Sequence, residues 1–148
     1  MLIALLAQLA PPLVVMQHLA TAKPIDKMEN LPAPIRAGAF SVDGTSAAGW
    51  KISDPGGPFS PTDVPVPGAP GRRLIFAACD PQLCLLHYER GGIAHFYEIL
   101  ALSRAGNAWD VVWNARGPKP LVNLDALRAL LHAPNSGGWN QQAVKGDF

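Results

Sequence analysis

Residues 72–117 read RRLIFAACDPQLCLLHYERGGIAHFYEILALSRAGNAWDVVWNARG, four apolar runs divided by three turn signals. Asp80-Pro81 places Asp and Pro at the first and second positions that a type I turn prefers. Gly91-Gly92 tolerates positive φ at a second reversal, and Gly106-Asn107 marks a third. The runs at 74–79, 84–89, 93–103 and 108–115 therefore predict an antiparallel β-meander of about four strands. In the last run Trp109, Val111 and Trp113 alternate with Asp110 and Asn114, so the three large residues are expected on one core-facing side.

A helix is expected next. Asn123 is a good N-cap, Asp125 sits in the positive first turn, and Leu124, Leu127, Leu130 and Leu131 recur at helical spacing. Pro134 and Gly137-Gly138 end it. The expected class is α+β, with the C-terminal helix packed on one face of the meander. Upstream, AFSV at 39–42 and GWKIS at 49–53 are expected to pair as a short N-terminal hairpin. Residues 54–71 contain six prolines and four glycines, which excludes a helix or a central strand. They are read as an extended proline-rich strap across the sheet; the P-x-x-P spacing of Pro55, Pro58 and Pro61 offers a polyproline II ligand as the alternative.

Cys79 and Cys84 are the only cysteines. Four residues separate them across the Asp80-Pro81 turn, which makes them facing partners. Facing Cα atoms lie roughly 4.5–5.5 Å apart, a spacing that a disulfide accepts. Redox chemistry more often uses C-x-x-C at a helix N-terminus, and two cysteines alone do not close a zinc site. A structural disulfide is the expectation.

The segment HYERGGIAHFYEI holds the candidate chemistry. With an even loop at Gly91-Gly92, His95 shares a face with Tyr88 and Tyr97 in a polar–aromatic cluster. His87 then falls on the other face with Glu89 and Glu98, where His87 could act as general base with Glu98 beside it. An odd loop or a bulge reverses that relation. Both histidines are read first as structural, held by hydrogen bonds. Arg72-Arg73 is read as a solvated strand edge.

At 148 residues the chain holds one ordinary domain. Its net charge of +1, with no basic or acidic block, gives no footprint for nucleic acid. No triad spacing, phosphate loop, dinucleotide fingerprint or metal-ligand motif is present, and no cofactor or metal is expected. Residues 1–22 read MLIALLAQLAPPLVVMQHLATA. An apolar run at 2–10 and Ala20-Thr21-Ala22 resemble a signal-peptide h-region and cleavage site. Pro11-Pro12 and the polar Gln8 and Gln17 argue against a membrane span.

The reading is thus a signal peptide at 1–22 and a single domain at 23–148, periplasmic or secreted. Its role is expected to be binding or structural, for an unidentified partner in the cell envelope. The alternatives are a small hydrolase or lyase using His87 and Glu98, and a cytosolic domain that keeps its N-terminal helix.

Overall fold

The computed structural model describes residues 13–144, other than 43 and 48. In chain order it contains α1 (Leu13–Leu19), β1 (Lys23–Ile25), a 3₁₀ turn at Met28–Asn30, α2 (Ala33–Arg36), β2 (Ser41–Val42) and β3 (Thr45–Ser46). Then follow β4 (Arg72–Cys79), β5 (Leu83–Arg90), β6 (Phe96–Ala105), β7 (Ala108–Gly117), α3 (Leu124–His132) and β8 (Asn140–Gln142). The protein is α+β and sheet-dominated. One mixed, mainly antiparallel sheet of eight strands runs β1-β4-β5-β6-β7-β2-β3, with β8 also on β7. Among the described strands the parallel pairing is β2 with β7, at Ser41↔Asp110 and Val42↔Val111.

Alternation sorts the sheet residues onto two faces, and both faces are covered. Seven of the eight β5 residues are buried. Leu83 and Leu85 point to a helix face shared with Ile99, Ala101, Trp113 and Ala115, and roofed by Val15 and Leu19 of α1 and by the leucines of α3. Cys84, Leu86 and Tyr88 point to a loop face, roofed by Leu31, Ile35, Phe40 and Trp50 from the 28–52 segment. The helix forms where its cap and leucine stripe predict: the Asn123 Oδ1 accepts the Ala126 N–H at 2.9 Å, and Leu124, Leu127, Leu130 and Leu131 are its buried residues.

Three expectations need correction. The tryptophan stripe of β7 splits. Opposite Ala101 and Leu102 lie Trp113 and Val111, which leaves Val112 as an extra residue. A bulge of this kind shifts the pleat by one, so Trp109 and Val111 face the loop side and Trp113 the helix side. The short hairpin also differs. Ser41 and Val42 pair with Ser46 and Thr45, across Gly44 at φ 74°. Trp50 instead turns inward and meets Phe40 and Tyr88 edge-on, at 5.3 and 5.8 Å between ring centroids. The third correction is the start of β6, at Phe96 rather than at residue 93.

The C-terminal segment is part of the sheet. β8 pairs with Asn114–Arg116 of β7, and Trp139 is buried against Gly117. A Cβ at 117 would sit 2.3 Å from the indole, so glycine is required there by close approach.

Cys79 and Cys84 form a disulfide across the β4–β5 turn, with Cα atoms 4.2 Å apart. Asp80 organises that turn, its Oδ1 accepting the Gln82 and Leu83 N–H groups at 2.8 Å each. Its Oδ2 meets His18 and Thr21 and so ties the turn to α1. Burial pushes the Asp80 carboxyl up, but these hydrogen bonds outweigh it and hold the group below its usual range.

The apolar run at 2–10 lies outside the described residues. Residues 13–22, by contrast, carry three buried positions, Val15, Leu19 and Ala22, and Arg128 of α3 donates to the Leu19 carbonyl at 3.4 Å. A chain beginning at Lys23 should therefore unfold with about 3–5 kcal/mol less free energy than one beginning at Leu13, since two large aliphatic side chains leave the core. Urea denaturation measures this, and equal midpoints would remove α1 from the core. Replacing both cysteines by serine should lower stability by only about 2 kcal/mol, because the closed loop is short; a variant that no longer folds would show that the turn depends on the bond.

Candidate functional site

His87 lies at the centre of the helix face. Its Nδ1–H donates to the Glu98 carbonyl oxygen at 2.9 Å, and its Nε2 accepts the Leu121 N–H at 2.9 Å. Those two partners require the neutral tautomer. Phe76 and Trp139 pack on the ring at 5.1 and 5.8 Å. Burial lowers the pKa from 6.5 to about 4, against the opposing pull of the Glu98 carbonyl and the Glu89 charge. The histidine thus joins β5, β6 and the segment leading into α3.

Glu98 points the other way. The β5–β6 loop at 91–95 holds five residues, and the register pairs Tyr88 with Glu98 and Glu89 with Tyr97. The odd loop reverses the face relation expected for an even one. Tyr88 and Glu98 share the loop face, while His87, Glu89 and Tyr97 share the helix face. The expected His87–Glu98 side-chain pair is consequently divided by the sheet, and so is the Tyr88–His95–Tyr97 cluster. His95 does stack on Tyr97, at 5.4 Å and 33° between ring planes. Its Nε2 lies 3.0 Å from the Glu89 carboxylate. Arg73 reaches the same carboxylate and stacks 4.8 Å over Phe59.

The largest gathering of charge lies on the loop face, at the end of the sheet where β4 starts and β5 ends. Two rows of side chains run across the strands there. One holds Tyr88, Glu98 and Arg116; the other holds Arg72, Arg90 and Phe96. Glu98 is almost wholly buried, and both of its oxygens are engaged. Its Oε1 accepts from Arg116 Nη2 at 2.9 Å and Arg90 Nη1 at 3.5 Å, and its Oε2 accepts the Tyr88 hydroxyl. Arg72 stands beside Tyr88 and lies 5.3 Å over Trp50. Arg116 and Arg90 stack on Phe96, 4.0 and 5.7 Å from its centroid.

The electrostatics follow from burial. Desolvation and the neighbouring Glu98 charge raise the Tyr88 pKa well above 10 and keep it an O–H donor. Desolvation also lowers the Arg72 pKa, opposed by Tyr88 and Glu98. Two guanidinium groups, those of Arg90 and Arg116, reach the Glu98 carboxylate, and the guanidinium of Arg72 stands close by over Trp50. All three are partly open to solvent, and the Arg116 side chain is 41% exposed and that of Arg90 27%. The buried Nε atoms of Arg72 and Arg116 have no hydrogen-bond partner. Planar guanidinium groups held on an aromatic ring are suited to oxyanions, which accept two parallel N–H bonds.

The sequence reading missed this end because Arg72 and Arg73 are neighbours in the chain but point to opposite faces. The signal was the recurrent x-Arg spacing two residues from an inward residue: Arg72 from Leu74, Arg90 from Tyr88 and Arg116 from Asn114. Among the described residues no three metal-ligating side chains cluster, and no helix is long and apolar enough to cross a membrane. A separate groove of about 550 Å³ lies between the β1–β4 edge and the start of α3, lined in part by Ile75, Phe76 and Val122. No protein-family model, no curated protein and no solved structure matches the chain.

The depressed His87 pKa makes stability pH-dependent. The unfolded chain takes up a proton near pH 6.5 and the folded chain only near 4, so protonation favours unfolding. The stabilisation by neutral His87 is complete above about pH 6.5 and is lost as pH falls toward 4, a total of about 3 kcal/mol. The stability gap between wild type and His87→Gln should accordingly narrow from pH 7 to pH 4.5. A constant gap in urea titrations would mean that the folded protein accommodates a charged His87.

Proposed function

We propose that the protein is a non-enzymatic binding domain of the cell envelope, exported to the periplasm or beyond, and that its ligand is an anion held at the arginine end of the sheet. The observation that carries this reading is the gathering of Arg72, Arg90 and Arg116 at one end of the sheet, with Arg90 and Arg116 paired to the Glu98 carboxylate and partly exposed on Phe96. A buried carboxylate of this kind orders the guanidinium groups before a ligand arrives, so less side-chain entropy is lost on binding. The Cys79–Cys84 bond supports an oxidising compartment. The proline-rich segment supports the role as a strap: Ser53 bridges to Arg73 and Thr62 to Gly92, which lays residues 53–62 beside the arginine end.

Burial of Val15 and Leu19 favours a second reading of the N-terminus, in which α1 stays with the mature domain. Under that reading a processing cut, where one occurs, falls before Leu13 and not after Ala22.

Titration with glycerol phosphate, followed by the Nε–H resonances of the arginines, tests the anion site. Saturable shifts at Arg72, Arg90 and Arg116 are expected, with a Kd on the order of 1 mM for so small a ligand. Arg116→Gln should weaken binding at least about fivefold by removing one forked donor. Shifts that sodium chloride reproduces at equal ionic strength would overturn the reading.

A further inference from the structure

The arginine end of the sheet also carries exposed aliphatic side chains. Ile93, at the tip of the 91–95 loop, is 97% exposed, and Val64 and Val66, in the proline-rich segment, are 72% and 46% exposed. The two loops are adjacent. Thr62 bridges to Gly92 in parallel, which brings the two loops together just before Val64 and Ile93. Their approach is close enough that a Cβ on Gly91 would sit 2.0 Å from the Ser60 carbonyl oxygen.

These tips are supported from below. Ser60 is buried, and its Oγ donates to the Ala69 carbonyl and accepts the Val66 N–H, at 3.2 and 3.0 Å. Gly91 N–H donates to Gly71 at 2.9 Å. Phe59 lies against Arg73 and His95. The three aliphatic residues are thus presented together on fixed loops, which distinguishes them from the singly scattered apolar residues of any surface.

Behind the tips stand Arg72, Arg90 and Arg116 on one face and Arg73 with His95 on the other. The carboxylates among them, Glu89 and Glu98, are buried in ion pairs. Asp54 and Asp63 are exposed groups of opposite sign in the proline-rich segment, the second of them beside Val64.

We infer that this end of the protein docks on a lipid surface carrying anionic headgroups. The aliphatic tips enter the boundary between headgroups and acyl chains, and the guanidinium groups behind them meet the phosphates. That is the division of labour by which peripheral proteins combine buried apolar area with attraction to anionic lipid. A purely soluble anion would engage the arginines and gain nothing from Ile93, Val64 and Val66. The inference rests on the anion site proposed above and adds its source.

Flotation with unilamellar vesicles tests it, run beside the glycerol phosphate titration. One set of vesicles contains about 30% phosphatidylglycerol in phosphatidylcholine and the other phosphatidylcholine alone, the wild type binding the first at least about tenfold more tightly. Ile93→Asp combined with Val64→Asp should cut vesicle binding by about tenfold while the glycerol phosphate titration stays unchanged. Both positions are exposed, so the double variant should keep the wild-type unfolding midpoint. Arg116→Gln should weaken both readouts. Glycerol phosphate binding without vesicle binding would overturn the lipid inference and leave the anion site standing. Vesicle binding that survives the double substitution would place the contact elsewhere and overturn it as well. Failure of both titrations in the wild type would overturn the two together.

Discussion

The central strand β5 is enclosed on both sides, and the rest of the structure answers to that constraint. A strand whose odd and even residues are both buried cannot slip by one position without carrying its polar side chains into the wrong core. His87 and Glu98 show how tightly the register is set. Each is buried, on opposite faces, and each has the partners that burial demands. The His87 ring spans from the β6 backbone to the segment before α3. Glu98 draws in a tyrosine and the arginines of the neighbouring strands.

The arginine end follows from the cost of putting a carboxylate in the interior. An isolated buried charge is strongly unfavourable, and one paired with good hydrogen bonds roughly breaks even. Here two guanidinium groups and a tyrosine hydroxyl meet the one carboxylate. Stability alone does not require this arrangement, because well-packed apolar residues often serve as well as a buried ion pair. The arrangement holds Arg90 and Arg116 on Phe96 and Arg72 on Trp50 at an open end of the sheet.

Local chemistry was readable from the sequence wherever a few neighbouring residues decide the outcome. Asp80-Pro81 between Cys79 and Cys84 specifies a turn that brings two thiols together, and the bond is there. Asn123 and the following leucines specify a capped amphipathic helix, and its buried face is the leucine stripe. Features that depend on counting along a strand were lost. The five-residue loop after Arg90 and the extra Val112 each invert a face assignment by a single residue, and no local propensity announces either. The pairing of Ser41 and Val42 with β7 joins segments about seventy residues apart and is decided by packing alone. The arginine end depends on the register of four strands at once, which is why it could not be assembled from a linear reading.

The contact between α1 and α3 sets an order of events. Leu19 and Arg128 meet across 109 residues of chain, and Trp139 closes the same face beyond them. A chain synthesised N-terminus first presents one half of this roof, α1, before the strands that it covers and the other half, α3, after them. Until residue 139 is out, Leu83, Leu85 and Ile99 have only part of their cover. Contacts this distant in sequence close late. Until the domain locks, these residues form an apolar strand surface that a holding chaperone can grip.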